Sequence, residues 1–151
     1  MTYQEKSIVV SLGTSILVLG YFVIRSLTLY AGGLPEPVLI YRLWGITILL
    51  VIAFNIAGNI LTQILTAIME AIRTGGEDVE IVSTTDERDE LIKLRGTSIG
   101  YTVFSIGGGL AMLTMVLGQP ALILFSLLTF FGLLAEIVAD SMRLVYYRRG
   151  I

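Results

Sequence analysis

Cysteine and histidine are both absent from these 151 residues. Their absence excludes disulfides, thiol nucleophiles, and zinc, haem or iron–sulfur sites built on those ligands. Only hard, oxygen-ligated cations stay open to a chain of this composition, and no metal site is assigned. Charge is scarce as well. Asp, Glu, Lys and Arg make up 15% of the residues, and the net charge of −2 provides no large basic surface, so no nucleic-acid partner is expected. No catalytic, cofactor or nucleotide-binding motif stands out. The chain is therefore read as non-enzymatic, with no catalytic residue and no cofactor. The three prolines, Pro35, Pro37 and Pro120, all fall outside the apolar runs.

Those apolar runs are what the sequence has in abundance. It is 55% hydrophobic with a mean hydropathy of +0.85. Leu43 to Met69 carries no charge, and the 40 residues from Gly96 to Ala135 are uncharged, broken only by Gly118-Gln119-Pro120. With Ile8 to Ile24 these runs supply four bilayer-length segments, since a spanning helix needs roughly 20 apolar residues to cross about 30 Å of hydrocarbon. The spacing predicts spans over about 8–29, 40–70, 97–117 and 120–145. The expected fold is all-α, a four-helix antiparallel transmembrane bundle forming a single domain. The first segment lacks an A-x-A-like cleavage site and is read as a retained helix.

Flanking charge sets the expected orientation, because Lys and Arg accumulate on the cytoplasmic side. Lys6, Arg73, Arg88, Lys93, Arg95, Arg143, Arg148 and Arg149 fall on one side of a four-span arrangement, and Arg25 and Arg42 on the other. Both termini are thus expected inside. Ala31 to Pro37 and Gly118-Gln119-Pro120 become short outer connections that force antiparallel hairpins. Arg25 lies near the outer interface, where it can snorkel toward Glu36.

The long connection, about 73–95, is then cytoplasmic. Gly75 and Gly76 suit the end of the second helix. Thr84 and Glu87 have capping-box spacing, and Asp89 to Lys93 is an i,i+4 pair in the favoured order, so an amphipathic turn is expected to lead straight into the third span. The acidic motif Asp86-Glu87-Arg88-Asp89-Glu90 is a candidate surface for a basic or cytoplasmic partner; it lacks the alternating oxygen ligands and central glycine of an EF-hand loop.

Polar residues inside the spans form two stripes. Asn55, Asn59 and Gln63 recur every four residues on the second segment, with Thr62 and Thr66 beside them, and Glu136, Asp140 and Arg143 follow one another on the fourth. One reading is a polar path or pocket for a cation, a proton or a polar solute. The other is helix–helix glue, with amides bonding across helices for about 0.6–2 kcal/mol each and Glu136 or Asp140 neutralised by Arg143 or a neighbouring arginine. Pairing of Arg88 or Arg95 with Glu136 or Asp140, and of Asp86 or Asp89 with Arg143 or Arg148, would clamp the last hairpin.

Small residues give a second pattern. Gly96-x-x-x-Gly100 and Gly108 on the third span, and Ser11-x-x-x-Ser15 on the first, are spaced for close helix approach, which together with the small size suggests a homo-oligomer, a dimer foremost. Gly13-Thr14-Ser15 and Gly96-Thr97-Ser98 hint at a parallel repeat, though apolar helices often share such triplets.

Asp86-Glu87-Arg88-Asp89 with Ile92 and Lys93, a span bearing Tyr101, and a last span with Glu136-Ile137 ending in Tyr147-Arg148-Arg149-Gly150 resemble small four-span prokaryotic membrane proteins grouped as a domain of unknown function. The resemblance covers Thr84 to Gly150. It implies four helices, a prokaryotic plasma membrane and a shared role for Asp86, Arg88, Asp89, Glu136 and Arg148, and it implies no activity. The expected function is a regulatory or scaffold module, embedded in the bilayer, that presents its acidic loop to a cytoplasmic or membrane protein partner. The alternative is a small oligomeric transporter or channel using Asn55, Asn59, Gln63, Glu136 and Asp140.

Overall fold

The computed structural model describes residues 3–74 and 87–149. Every regular element in them is an α-helix: α1 (Tyr3–Tyr30), α2 (Pro37–Thr74), α3 (Glu87–Val116) and α4 (Ala121–Arg149). Each contains a segment long and apolar enough to cross a membrane. The Gly75-Gly76 and Thr84 caps and Asp86 lie outside the described residues.

Local chemistry sets the boundaries. Pro37, with its fixed φ and no N–H to leave unpaired, opens α2. Gly118, at φ +74°, closes α3 in a Schellman motif: the Gln119 N–H donates to the Thr114 carbonyl at 3.0 Å and the Gly118 N–H to Met115 at 3.0 Å. The Pro120 carbonyl then accepts from the Ile123 N–H at 2.9 Å, starting α4 one residue later. At its other end α3 is continuous from Glu87, so the acidic turn and the third span form one helix.

The helices pack in the order α2–α1–α4–α3. α1 lies against both α2 and α4, whereas α3 packs extensively on α4 alone. Neighbours run antiparallel: Gly58 faces Val10 across α2 and α1, the Tyr30 hydroxyl lies 3.2 Å from Ser126 Oγ across α1 and α4, and Gly100 meets Ala135 and Ala139 across α3 and α4. The start of α1, the end of α2, the start of α3 and the end of α4 therefore share one end, called here the terminal end. The two short connections mark the turn end.

Two seams hold the bundle. Val18 and Phe22 of α1 are buried with Ile40, Leu43 and Thr47 of α2. The second seam is built from small residues, with Gly96, Gly100, Gly107 and Ala111 of α3 buried toward α4, where Ala135 and Ala139 are buried in turn. A Cβ on Gly100 would stand 3.1 Å from that of Ala139 and 3.2 Å from the Ala135 carbonyl oxygen, and one on Gly107 would overlap the Phe131 ring. Gly108 is not a close-packing position. An added Cβ there would meet only Leu128, at 3.9 Å; the close approach belongs to its neighbour Gly107. Because Gly96, Gly100 and Gly107 all turn toward α4 of the same chain, they join a hairpin and give no support to the dimer expected from them. Large side chains such as Leu17, Leu27, Ile48 and Met112 stay on the outside, as a lipid solvent permits.

Candidate functional site: a polar crevice between the hairpins

Since α3 touches α4 but makes no comparable packing with α1 or α2, the bundle is left open on one side at the terminal end. A cavity of about 870 Å³ occupies the opening. Ser7, Ser11 and Thr14 line it from α1, and Phe54, Asn55 and Gly58 from α2. α3 contributes Asp89, Glu90, Lys93 and Thr97, while α4 contributes Glu136, Asp140, Arg143 and Tyr147. The α4 residues recur at intervals of four, three and four, so they form a single stripe on one helix face. A second cavity of about 550 Å³ continues between α1, α2 and α4 as far as Thr47, sharing Thr14, Phe54, Asn55 and Glu136 with the first. A smaller one of about 230 Å³, between α3 and α4, shares Thr97, Glu136 and Arg143. Glu136 is thus common to all three.

Arg143 organises the charges. It donates to Asp140 Oδ1 at 2.6 Å and to Thr97 Oγ1 at 2.8 Å, and lies 3.9 Å from Glu136. Gly96 makes this possible, because a Cβ at that position would overlap Arg143 Cγ. Asp140 is buried at 1% exposure, and its Oδ2, like Arg143 Nε, has no hydrogen-bond partner among the described residues. Both charges are retained at such depth because each offsets the other's desolvation. The Glu136 side chain, by contrast, is 55% exposed and its contact with Arg143 is long. Nearer the mouth, the Tyr147 hydroxyl donates to Asp89 Oδ1 at 2.7 Å, tying the end of α4 to the start of α3.

The hairpin is therefore clamped partly as the charge pattern suggests. Asp140 is neutralised by Arg143, as one reading of the stripe expects, though from its own helix, three residues away, and Asp89 is held by a tyrosine and not by Arg143 or Arg148. The amide stripe also divides. Asn55 lines both larger cavities, yet its amide donates to the Val51 carbonyl of its own helix at 2.8 Å and bridges no helices among the described residues. Gln63 is exposed and lines none of these cavities; the side chain of Asn59 lies outside the described residues. Ser11 and Ser15 line cavities instead of packing tightly. Gly13 has nothing within 4 Å of an added Cβ while Gly96 is packed against Arg143, so the two Gly-Thr-Ser triplets are not equivalent. In the acidic motif, Glu87, Arg88 and Glu90 are exposed and Asp89 is half-buried. Thr97, Tyr147 and Phe54 are site residues that sequence reasoning missed.

No family model, curated protein or solved structure matches the chain. The crevice is read from its own chemistry. Its lining carries four carboxylates, Asp89, Glu90, Glu136 and Asp140, against two cations, Lys93 and Arg143. Among the described residues no three acidic side chains converge on one point, a donor set better matched to one positive charge than to a divalent ion.

Proposed function

We propose that the chain is a small multi-pass membrane protein of the transport class, whose crevice takes up a small organic cation with Glu136 as its counter-ion. The observation that carries this reading is the state of Glu136. It opens into all three cavities with its side chain half exposed, whereas Asp140 is held by Arg143 and Asp89 by Tyr147. An ionisable group facing a polar cavity inside a spanning helix is costly to keep, and in membrane proteins such groups mark ligand or ion paths. The cavity is within the range of small-molecule sites and far larger than a bare ion needs. Its mixed lining suits an amphipathic cation: Phe54 presents an aromatic face, and Asn55, Thr14 and Ser11 present hydrogen-bonding groups. With the termini in the cytoplasm, as the Lys and Arg distribution suggests, the mouth faces the cytoplasm of a prokaryotic cell, in keeping with the family resemblance.

The test is binding and flux of tetraphenylphosphonium and choline in micelles and proteoliposomes. Wild type is expected to bind at least one of them in preference to a neutral analogue, and E136Q to lose that binding while keeping its helical content and melting temperature. Equal binding by wild type and E136Q, or none by wild type, overturns the reading. A second reading, a module presenting its acidic segment to a protein partner, is favoured by the exposure of Glu87 and Glu90 at the terminal end of α3. It predicts that neutralising Glu87 and Glu90 abolishes partner capture while E136Q leaves it intact.

A further inference from the structure

At the turn end, away from the crevice, a separate cavity of about 180 Å³ lies in the seam between α1 and α2, lined by Tyr21, Arg25, Leu29, Leu39, Arg42 and Ile46 among others. Arg25 stands five residues before the last residue of α1, and Arg42 five residues after the first of α2. At 1.5 Å per residue each is about 7.5 Å from its helix end. The antiparallel hairpin therefore brings two guanidinium-bearing side chains to the same depth and into one groove. Both residues are exposed, and neither forms an ion pair or hydrogen bond among the described residues. Glu36, the acidic residue of the adjoining connection and the expected partner of Arg25, forms none with it.

Two unneutralised cations side by side within an apolar hairpin repel each other and are expensive to hold at membrane depth unless an anion joins them. The depth identifies the anion. Tyr41 and Trp44 stack edge to face at 5.5 Å, and Trp44 meets Phe125 at 5.6 Å, so this end of the bundle carries an aromatic cluster with Tyr41 on its exposed side, a residue type that favours headgroup level. Arginine is suited to phosphate there, since its planar fork donates two parallel hydrogen bonds to two oxygens.

We propose that Arg25 and Arg42, with the Tyr21 hydroxyl as a third donor, form a binding site for the phosphate of an anionic lipid in the leaflet at the turn end. The acyl chains would run from there toward the middle of the membrane past Ile46, with Leu29 and Leu39 on the headgroup side of the two arginines. The site is independent of the crevice and of Glu136, and it gives the two arginines on the sparsely charged side of the protein a role other than topology.

The experiment is native mass spectrometry of the whole protein released from detergent, titrated separately with phosphatidylglycerol, phosphatidylcholine and inorganic phosphate. Retention of phosphatidylglycerol over phosphatidylcholine is expected, falling about 30-fold in R25Q/R42Q, the effect of losing two cations that attract anionic headgroups. R25K/R42K is expected to fall between the two, because charge survives without the fork. Thermal stabilisation of wild type by phosphatidylglycerol but not phosphatidylcholine gives a readout that needs no variant. Inorganic phosphate that displaces the lipid assigns the site to the phosphate group itself, and phosphate that binds tightly while the lipid does not would overturn the lipid assignment. Equal retention of both lipids, or retention unchanged in R25Q/R42Q, overturns the proposal.

Discussion

Gly107 and Gly109 lie two residues apart on α3, identical in type and both in mid-helix, and are expected to respond to alanine in opposite directions. At Gly107 a methyl group would overlap Cβ, Cγ and Cδ1 of Phe131, the base of an aromatic side chain that cannot swing aside without moving α4. Forcing extra volume into a close-packed seam costs about 1–3 kcal/mol, and the gain from replacing a flexible glycine within a helix returns about 0.5–1 kcal/mol. The expected net effect of Gly107→Ala is thus a loss of about 0.5–2 kcal/mol. At Gly109 nothing lies within 4 Å of the added carbon, so only the favourable part applies and Gly109→Ala should be neutral or stabilising. Unfolding in mixed micelles, followed by the fluorescence of the single tryptophan, reports on both, because Trp44 of α2 touches Phe125 of α4. A double-mutant cycle adds a stricter requirement. Phe131→Ala removes the Cγ and Cδ1 of that overlap and should cost less in the Gly107→Ala background than in wild type, since neighbours that clash are non-additive. If the two alanine variants are equally stable, or if Phe131→Ala acts identically in both backgrounds, the close approach of α3 and α4 at this point is refuted.

Four other outcomes are expected. Asp140→Ala, which leaves the half-buried Arg143 with Thr97 and the long contact to Glu136, should destabilise by up to about 3 kcal/mol, and adding Arg143→Met should recover part of that loss in the same micellar titration. Tyr147→Phe removes the 2.7 Å bond to Asp89; it should cost about 1–2 kcal/mol locally, seen as faster amide hydrogen exchange in the first two turns of α3 with the rest of the helix unchanged. Gly118→Ala forces a side chain into the left-handed region at φ +74° and should cost about 1–2 kcal/mol, whereas Gly32→Ala, in open space, should be silent in a thermal melt. Asn55→Ala should change stability by less than about 0.5 kcal/mol, because its amide bonds only its own helix; a loss near 2 kcal/mol would restore the glue reading.

The four helices were legible because length and apolarity in long uncharged runs are one-dimensional properties, and the turn at Gly118 was legible because a glycine followed by Gln-Pro leaves the chain few conformations. The stripe of Glu136, Asp140 and Arg143 was legible by helical spacing, which also extends to Tyr147, four residues beyond Arg143. Which side chain each of these meets was only partly legible. Opposite charges can be paired in many ways on paper: Arg143 was one candidate for Asp140 beside Arg88 and Arg95, and the space that lets it serve comes from Gly96, which clears room for an arginine stem across the hairpin. The same limit explains Gly108. Three consecutive glycines point in three directions around a helix, about 100° apart, and only the orientation of α3 against α4 decides that Gly107 is the one in the seam. Asn55 shows a further ambiguity: an amide with i+4 neighbours of its own kind looks like an interhelical ladder, yet a carbonyl one turn back along the same helix is always within its reach.

The unequal packing of the two hairpins is itself the cause of the crevice. α3 comes close to α4 because glycine and alanine face each other along most of their shared length, and a helix drawn in that far on one side is drawn away from its neighbours on the other. α1 and α2 have no such seam: Gly13, Gly20 and Gly45 all look into open space, and Val18, Phe22, Ile40 and Leu43 hold their helices at side-chain distance. A square bundle of four helices would need α3 to pack on α2, and the small-residue seam opposes it by drawing α3 onto α4. The faces exposed by that gap are the hydroxyl side of α1 and the charged side of α4, so the gap is polar. Lipid tails would be poor occupants of such a space, because hydroxyls and carboxylates facing hydrocarbon would lose their hydrogen bonds with no return. A filling that satisfies Ser11, Thr14, Asn55 and Glu136 at once has to be polar, which water meets and which the organic cation proposed above meets with a charge that complements the carboxylate excess. Widening Gly100 to leucine should therefore do more than loosen the hairpin. By pushing α3 off α4 and toward α2 it should narrow the crevice, so the binding of an organic cation at Glu136 should weaken in that variant even though Gly100 lines neither of the two larger cavities.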